Sequence, residues 1–122
     1  MQPNGTGVIL FVEAFEACVA FYRDQIGLAV IEAQESLVNF SFGSSYLMIE
    51  RGGVASKTPK SRQMNPTVLR FDVPDVAETA KDLRARNVPV EIRTFEWGTI
   101  GVFFDPDFNR CGLKQLRGTG SC

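Results

Sequence analysis

The 122-residue sequence contains no histidine, the commonest metal ligand and the usual general base near neutral pH. This absence excludes Ser-His and Cys-His catalysis and every metal site that depends on imidazole. Cysteine is also scarce, because Cys18, Cys111 and Cys122 are too few and too scattered for a disulfide framework or a zinc knuckle. We interpret Cys18 and Cys111 as small buried apolar residues. Cys122 ends a Gly- and Ser-rich tail.

A strong excess of either charge and long apolar segments are missing as well. Thirteen Lys and Arg residues oppose fourteen Asp and Glu residues, and this near balance favours neither nucleic acid nor an anionic membrane as a partner. No apolar run approaches the ~18 residues of a membrane span, and the start MQPNGTG lacks a signal-peptide pattern. We expect residues 1–122 to form a single domain in the cytoplasm.

The chain repeats one design twice. Gly7–Val12 is an apolar strand, and the segment EAFEACVAFYRDQIG that follows has apolar residues at helical spacing. Thr67–Val73 is a second strand, after which Pro74 and the N-cap Asp75 open another helix. Shifting the sequence by 61 residues superimposes the two units. Three short strands follow each helix, which predicts an α+β fold of two tandem βαβββ modules, 6–51 and 67–117.

The segment between the modules differs in composition from both of them. Residues 52–66 are rich in Gly, Pro, Ser and basic residues, which predicts a flexible linker. We interpret the positive charges of this region as a solvated loop rather than a binding site.

The duplicated layout, with FYRDQIGL at Phe21–Leu28 and FFDPDFN at Phe103–Asn109, resembles the vicinal oxygen chelate superfamily over residues 6–117. Its members include glyoxalase I, extradiol dioxygenases, fosfomycin-resistance enzymes and bleomycin-resistance binding proteins. The resemblance implies that the two modules form curved mixed sheets around one cleft. It also implies a homodimer, because the family pairs such modules within or between chains.

Metal enzymes of this superfamily take ligands, typically His and Glu or Gln, from the first and last strands of each module. The resemblance places these positions at Gly7, Val68, Gly112 and a residue of YLMIE, which is Met48, or Glu50 after a two-residue register shift. A single carboxylate does not hold a catalytic divalent ion. We therefore expect no metal and no cofactor.

Phe108 departs from the family pattern, which usually has Gly after Asp-Pro-Asp. If this turn residue requires a positive φ, a bulky aromatic side chain is strained there. Either the turn differs or Phe108 gains compensating packing.

Alternation in phase with the positions that the resemblance implies, together with a predicted hairpin tip, selects the candidate ligand-binding residues, which are Phe11, Asn39, Tyr46, Met48, Glu50, Arg70, Asp72, Trp97 and Lys114. Several have a structural alternative. Core packing is favoured for Phe11 and its neighbour Ile9, an ion pair would explain Arg70 and Asp72, and Glu50 fits a solvated strand end. Trp97 fits a ligand lid, an association surface or packing at the sheet edge.

These side chains suit an unknown polar organic ligand held by stacking and a few hydrogen bonds. The leading interpretation is a metal-free small-molecule-binding protein of the glyoxalase/bleomycin resistance type, with no catalytic residue assigned. One alternative is a metal-dependent lyase, isomerase or dioxygenase with a rearranged carboxylate site drawn from Glu50, Asp72 and Glu91. Another is an interaction module whose cleft is vestigial.

Overall fold

The structure, a computed structural model, describes residues 1–115. The chain divides into two compact units, Met1–Lys57 and the residues from Thr58 onward. Each unit contains one βαβββ module, as the sequence predicts. Cys122 and residues 116–117 of the predicted second module lie outside the described residues.

The first unit forms a mixed four-stranded sheet in the order β1-β4-β3-β2. Strand β1 is parallel to β4, and the other two pairs are antiparallel. Its elements are β1 (Gly7–Val12), α1 (Phe15–Ala20), a π-helical turn (Phe21–Gln25), β2 (Val30–Ala33), β3 (Leu37–Phe42) and β4 (Ser45–Arg51).

The predicted first helix is present, but its second half is π-helical. The Ile26 N–H donates to the Phe21 carbonyl, five residues back, at 2.9 Å. Phe21 and Tyr22 are both buried, and their rings meet edge to face at 5.0 Å. Apolar spacing alone predicts only an α-helix over this segment.

The second unit repeats the arrangement in the order β5-β8-β7-β6, with β5 parallel to β8. Strand β5 begins at Leu69, two residues later than predicted. The Asp75 carboxylate accepts a hydrogen bond from the Glu78 N–H at 3.0 Å, which confirms the predicted N-cap. The elements are β5 (Leu69–Val73), α2 (Val76–Ala85), β6 (Glu91–Phe95), β7 (Gly98–Phe104) and β8 (Arg110–Gln115).

Each module buries one face of its sheet against its own helix. Helix α1 lies against β4, and α2 lies against β6, β7 and β8. Cys18 and Cys111 are buried, as predicted. Other core residues are Val12, Tyr22, Phe40, Leu47 and Ile49 in the first unit and Leu69, Val76, Ala80, Leu83, Phe103 and Leu113 in the second. Within residues 1–115, the opposite face of each sheet has no helix of its own module, and we call these the first and second open faces.

The turn at Asp105–Asn109 has the strained geometry that its sequence indicates. Phe108 has φ 64°, in the left-handed region that favours glycine. Its N–H donates to the Asp105 carbonyl at 2.8 Å. The Phe108 ring lies 6.1 Å from that of Phe104. The turn therefore keeps a positive φ, and aromatic packing accompanies the strain.

Among residues 1–115, no helix is long and apolar enough to cross a membrane.

Candidate functional site

The first open face gathers the candidate residues of the first module. The strand register places each β1 residue of this face beside one of β4, and each of these β4 residues pairs in turn with one of β3. The predicted alternation is confirmed, while a role in ligand binding stays a prediction. The face carries Gly7, Ile9, Phe11, Tyr46, Met48, Glu50 and Asn39.

The interpretation of Ile9 and Phe11 as core residues is wrong. Ile9 is 49% exposed and Phe11 is 51% exposed, whereas Val12 on the helix side is fully buried. Alternation along β1 turns odd-numbered residues away from α1, so their side chains do not enter the core. Phe11 therefore presents an aromatic surface on the first open face.

The side-chain space at Gly7 is already occupied. A Cβ built on Gly7 would overlap the ring of Tyr46, its cross-strand neighbour. A metal-ligating side chain at residue 7 would first require the Tyr46 ring to move. The geometry thus opposes a metal ligand at the first of the four implied positions.

The strand registers identify Met48, rather than Glu50, as the equivalent of Gly112. Ile9 pairs with Met48, and Arg70 pairs with Gly112. Ile9 and Arg70 are themselves related by the 61-residue offset. The four positions implied by the resemblance are therefore Gly7, Met48, Val68 and Gly112. None of these residues offers a nitrogen or oxygen side-chain donor, and a thioether does not suit Mg²⁺, Mn²⁺ or Ca²⁺.

Asn39 supplies an unsatisfied hydrogen-bond acceptor on the first open face. Its Oδ1 atom is buried and has no hydrogen-bond partner among the described residues. The residue lies in the register between Met48 of β4 and Glu32 of β2. A buried acceptor without a partner costs about 1–3 kcal/mol.

The second open face has a floor without large side chains and a charged surround. Gly112 and Val102 are neighbours at its centre and are both buried. Gly112 carries no side chain, and the nearest atom to a Cβ built there lies 3.5 Å away. The residues around this floor on the same face are Arg70, Asp72, Glu91, Arg93, Phe95, Ile100, Arg110 and Lys114.

Arg70 and Asp72 form an ion pair on this face. The Arg70 Nε atom lies 3.5 Å from Asp72 Oδ1, and both side chains are about half exposed. Exposed ion pairs contribute only about 0–1 kcal/mol, so a ligand can recruit either group at little cost to the fold. The ion pair given above as the structural alternative is therefore present, and both residues lie on the open face as predicted.

Trp97 lies at the predicted hairpin tip, between β6 and β7. Its ring stacks on Phe95 at 5.0 Å with an interplanar angle of 4°, and it is 50% exposed. The Lys114 ammonium lies 5.6 Å from the Trp97 centroid. Phe95 was not among the predicted site residues. Its alternation with Ile92 and Thr94 in EIRTF, which places it on the opposite face of the strand from them, could have identified it. The pair gives the second open face an aromatic platform beside a cation.

Two carboxylates of the alternative metal site, Asp72 and Glu91, lie far apart. Asp72 lies on β5 and Glu91 on β6, the two opposite edges of one sheet. Three strand spacings separate them, about 14 Å, so they do not share one ion. Among residues 1–115, no three His, Cys, Asp or Glu side chains gather as a metal site requires.

Glu91 is engaged by arginine instead. The Arg93 guanidinium donates a hydrogen bond to Glu91 at 3.0 Å. This bond, the charge of Arg93 and the charge of Arg110 lower the pKa of the Glu91 carboxyl. Glu91 therefore stays ionised as a partner for arginine at neutral pH.

The sequence matches the Glyoxalase/Bleomycin resistance protein/Dioxygenase superfamily over residues 6–112. Because this match spans most of the chain and the described fold is a tandem pair of βαβββ modules, the chain belongs to that superfamily.

Individual relatives show how varied this fold is in function. An uncharacterized protein YraH of Bacillus subtilis (strain 168) is 29% identical over 120 residues, covering 88% of this chain and 94% of its own. The lactoylglutathione lyase structure from Agrobacterium tumefaciens has a TM-score of 0.73 at 20% identity, covering 93% of this chain and 95% of that one. TnmS3, an antibiotic binding protein from Streptomyces sp. CB03234, has a TM-score of 0.74 at 20% identity, covering 93% and 96%.

Proposed function

We propose that the protein binds a small, flat, partly polar organic molecule without using a metal ion. The observation that carries this proposal is the chemistry of the four positions where the family's metal enzymes hold their ligands. These are Gly7, Met48, Val68 and Gly112, and none suits a hard divalent cation. Aromatic and charged side chains surround these positions on the two open faces.

Two further features support binding of a ligand with polar groups. The stacked rings of Phe95 and Trp97 are each about half exposed, which leaves an aromatic surface for a flat molecule. The Lys114 ammonium lies 5.6 Å from the Trp97 centroid and adds a hydrogen-bond donor beside these rings. Stacking with a few directed hydrogen bonds is the usual way in which proteins hold such molecules.

The fold alone does not select this function. A lactoylglutathione lyase and an antibiotic binding protein both share it at about the same similarity. The choice between binding and catalysis rests on this chain's own residues. The absence of histidine and the four positions without suitable donors favour a binding protein.

The ligand role is tested with neighbouring residues that point to opposite faces of β5. A thermal-shift screen of flat polar aromatic compounds would first supply a ligand. Arg70→Ala should weaken its binding about tenfold and leave the free energy of unfolding within about 1 kcal/mol. Phe71→Ala is the matched control, because Phe71 is partly buried and stacks on Phe103 at 6.2 Å.

Phe71→Ala should cost about 2–3 kcal/mol of stability, less than a fully buried Phe, and leave the affinity of the folded fraction unchanged. Isothermal titration calorimetry and urea unfolding measure the two quantities. Unchanged affinity in the Arg70 variant would exclude a ligand-binding role for that side chain. A complete failure of the screen would argue against the proposed function.

The metal-free character has its own experiment. Protein that has been dialysed should contain well under one equivalent of any transition metal by elemental analysis, and EDTA should not shift its Tm. A stoichiometric metal whose removal lowers the Tm would overturn this part of the proposal.

A further inference from the structure

Four basic side chains line a single pocket in the second unit. The pocket has a volume of about 390 Å³. Two of its cations come from the segment before β5, and the other two come from β6 and β8. The lining consists of Lys60, Arg62, Asn65, Pro66, Val68, Arg93 and Arg110, so none of the described lining residues is acidic.

Partly buried hydrogen bonds to Asn109 hold the segment before β5 in place. Asn109 is 3% exposed, and its Oδ1 accepts hydrogen bonds from Lys60 Nζ at 2.8 Å and Asn65 Nδ2 at 3.0 Å. The Asp105 carboxylate in turn accepts the N–H and the Nδ2 of Asn109, at 2.9 and 3.0 Å. The interpretation of this segment's charges as a solvated loop is therefore wrong for Lys60, which is partly buried and positioned by a turn that lies 49 residues further along the chain.

The charges around the pocket are not balanced. Arg93 pairs with Glu91 at 3.0 Å. The other three lining cations form no ion pair with any carboxylate among residues 1–115. Asp105 and Asp107 belong to the neighbouring turn, but both are buried and neither lines the pocket. The pocket therefore carries an excess of positive charge in a chain whose overall charge is −1.

We propose that this pocket binds the carboxylate or phosphate group of a small organic anion. Arginine presents paired N–H donors that match the oxygens of both groups, and the Lys60 ammonium adds a third source of donors. Arg93 and Arg110 also belong to the second open face. The inference rests on the proposed function in one respect: the pocket selects an acidic molecule among the ligands of that face.

Calorimetric titration tests the pocket with two simple probes, inorganic phosphate and citrate. Ionic strength is held constant with sodium chloride, because salt screens exposed charges. Arg62→Gln should weaken the bound probe about tenfold, as expected when a charged hydrogen-bond donor is lost. Arg110→Gln should have an effect of similar size from the other side of the pocket.

Lys81→Gln is the matched control, because it removes one positive charge from an exposed position on α2, outside the pocket. It should change the affinity less than about twofold. Equal losses in Lys81→Gln and Arg62→Gln would show a general charge effect and overturn the proposal. Absence of saturable binding of both probes to the unmodified protein would also overturn it. Far-UV circular dichroism and the Tm establish that each variant is folded.

The experiment separates this inference from the proposed function. If a ligand from the screen binds with an affinity that Arg62→Gln and Arg110→Gln leave unchanged, the proposed function is supported and the anion pocket is refuted. The screen could instead fail to find a ligand while phosphate or citrate binds in an Arg62-dependent way. That result would support the anion pocket without the wider binding role.

Discussion

Gly101 and Gly112 lie on neighbouring strands but face opposite sides of one sheet. A Cβ at Gly101 would approach Val90 Cγ1 to 3.1 Å and Leu113 Cδ1 to 3.2 Å, inside the core. A Cβ at Gly112 would meet its nearest atom at 3.5 Å, an ordinary van der Waals contact. The same added methyl group therefore has a different consequence at each position.

Gly101→Ala should destabilise the protein by about 1–3 kcal/mol through overpacking. Gly112→Ala should be neutral or stabilise it by up to about 1 kcal/mol, because alanine restricts the unfolded chain more than glycine. Urea denaturation of both variants measures the difference. Equal destabilisation by the two changes would contradict the assignment of Gly112 to the open face.

Phe108 combines a positive φ with aromatic packing, and two substitutions separate these effects. Phe108→Gly removes the contact with Phe104 and the backbone strain together, whereas Phe108→Val removes the contact and keeps a β-branched residue at φ 64°. The valine variant should be less stable than the glycine variant by about 1–2 kcal/mol. Thermal unfolding compares them, and a valine variant as stable as the glycine variant would show that the turn relaxes to a negative φ.

At the scale of the element, α2 is held at both ends by local hydrogen bonds. Asp75 caps its N-terminus. At the other end, Asn87 has φ 67°, and the Asn87 and Val88 N–H groups donate to the Arg84 and Leu83 carbonyls. This is the Schellman arrangement, in which asparagine is a common substitute for glycine.

Asp75→Ala should lower the free energy of unfolding by about 1 kcal/mol, because the Glu78 N–H loses its acceptor. Asp82→Ala is the matched control, since Asp82 is an exposed residue within the same helix. Its effect should stay within about 0.5 kcal/mol. Chemical denaturation distinguishes the two, and equal losses would indicate that charge rather than capping is responsible.

The elements were predictable wherever local chemistry determines them. Alternation along β5 correctly assigned Arg70 to the open face and Leu69 to the core, because only one face of the sheet packs on a helix. The π-helical turn was not predictable, because the apolar positions around Phe21 and Tyr22 fit an α-helix as well as a π-helical turn. The anchoring of residues 60–65 was missed for another reason: Asn65 and Asn109 are 44 residues apart, so their hydrogen bond leaves no local pattern.

The candidate site likewise has one part that the sequence predicts and one part that it does not. Tyr46, Arg70 and Lys114 could be assigned to open faces because each lies on a regular strand. The basic pocket could not, because Arg62 comes from a segment without regular structure and meets Arg93 and Arg110 only in the folded unit. Residues that come together only in the tertiary fold leave no periodic pattern in the sequence.

At the scale of the whole molecule, we propose a homodimer. Strand β2 is an edge strand exposed throughout, and its Val30 and Ile31 are 44% and 59% exposed. An exposed apolar edge invites pairing with a second chain. Light scattering should give twice the 13.5 kDa chain mass at micromolar concentration. A monomer mass would refute the proposal.

Ile31→Lys should shift this equilibrium towards monomer, because a charged edge strand resists pairing. Val54→Lys is the matched control: Val54 is 70% exposed and lies outside the strands. If both variants dissociate equally, or neither does, β2 is not the dimer contact.

The ring of Tyr46 over Gly7 also constrains the order in which substitutions are accessible to this chain. A side chain at Gly112 can begin without displacing a neighbour, because its Cβ would make only ordinary van der Waals contacts. At Gly7 a side chain is accommodated only after the Tyr46 ring moves or residue 46 changes, so the effect of a substitution at residue 7 depends on residue 46. The two modules therefore differ in how freely these two glycines can be substituted, although they share one fold.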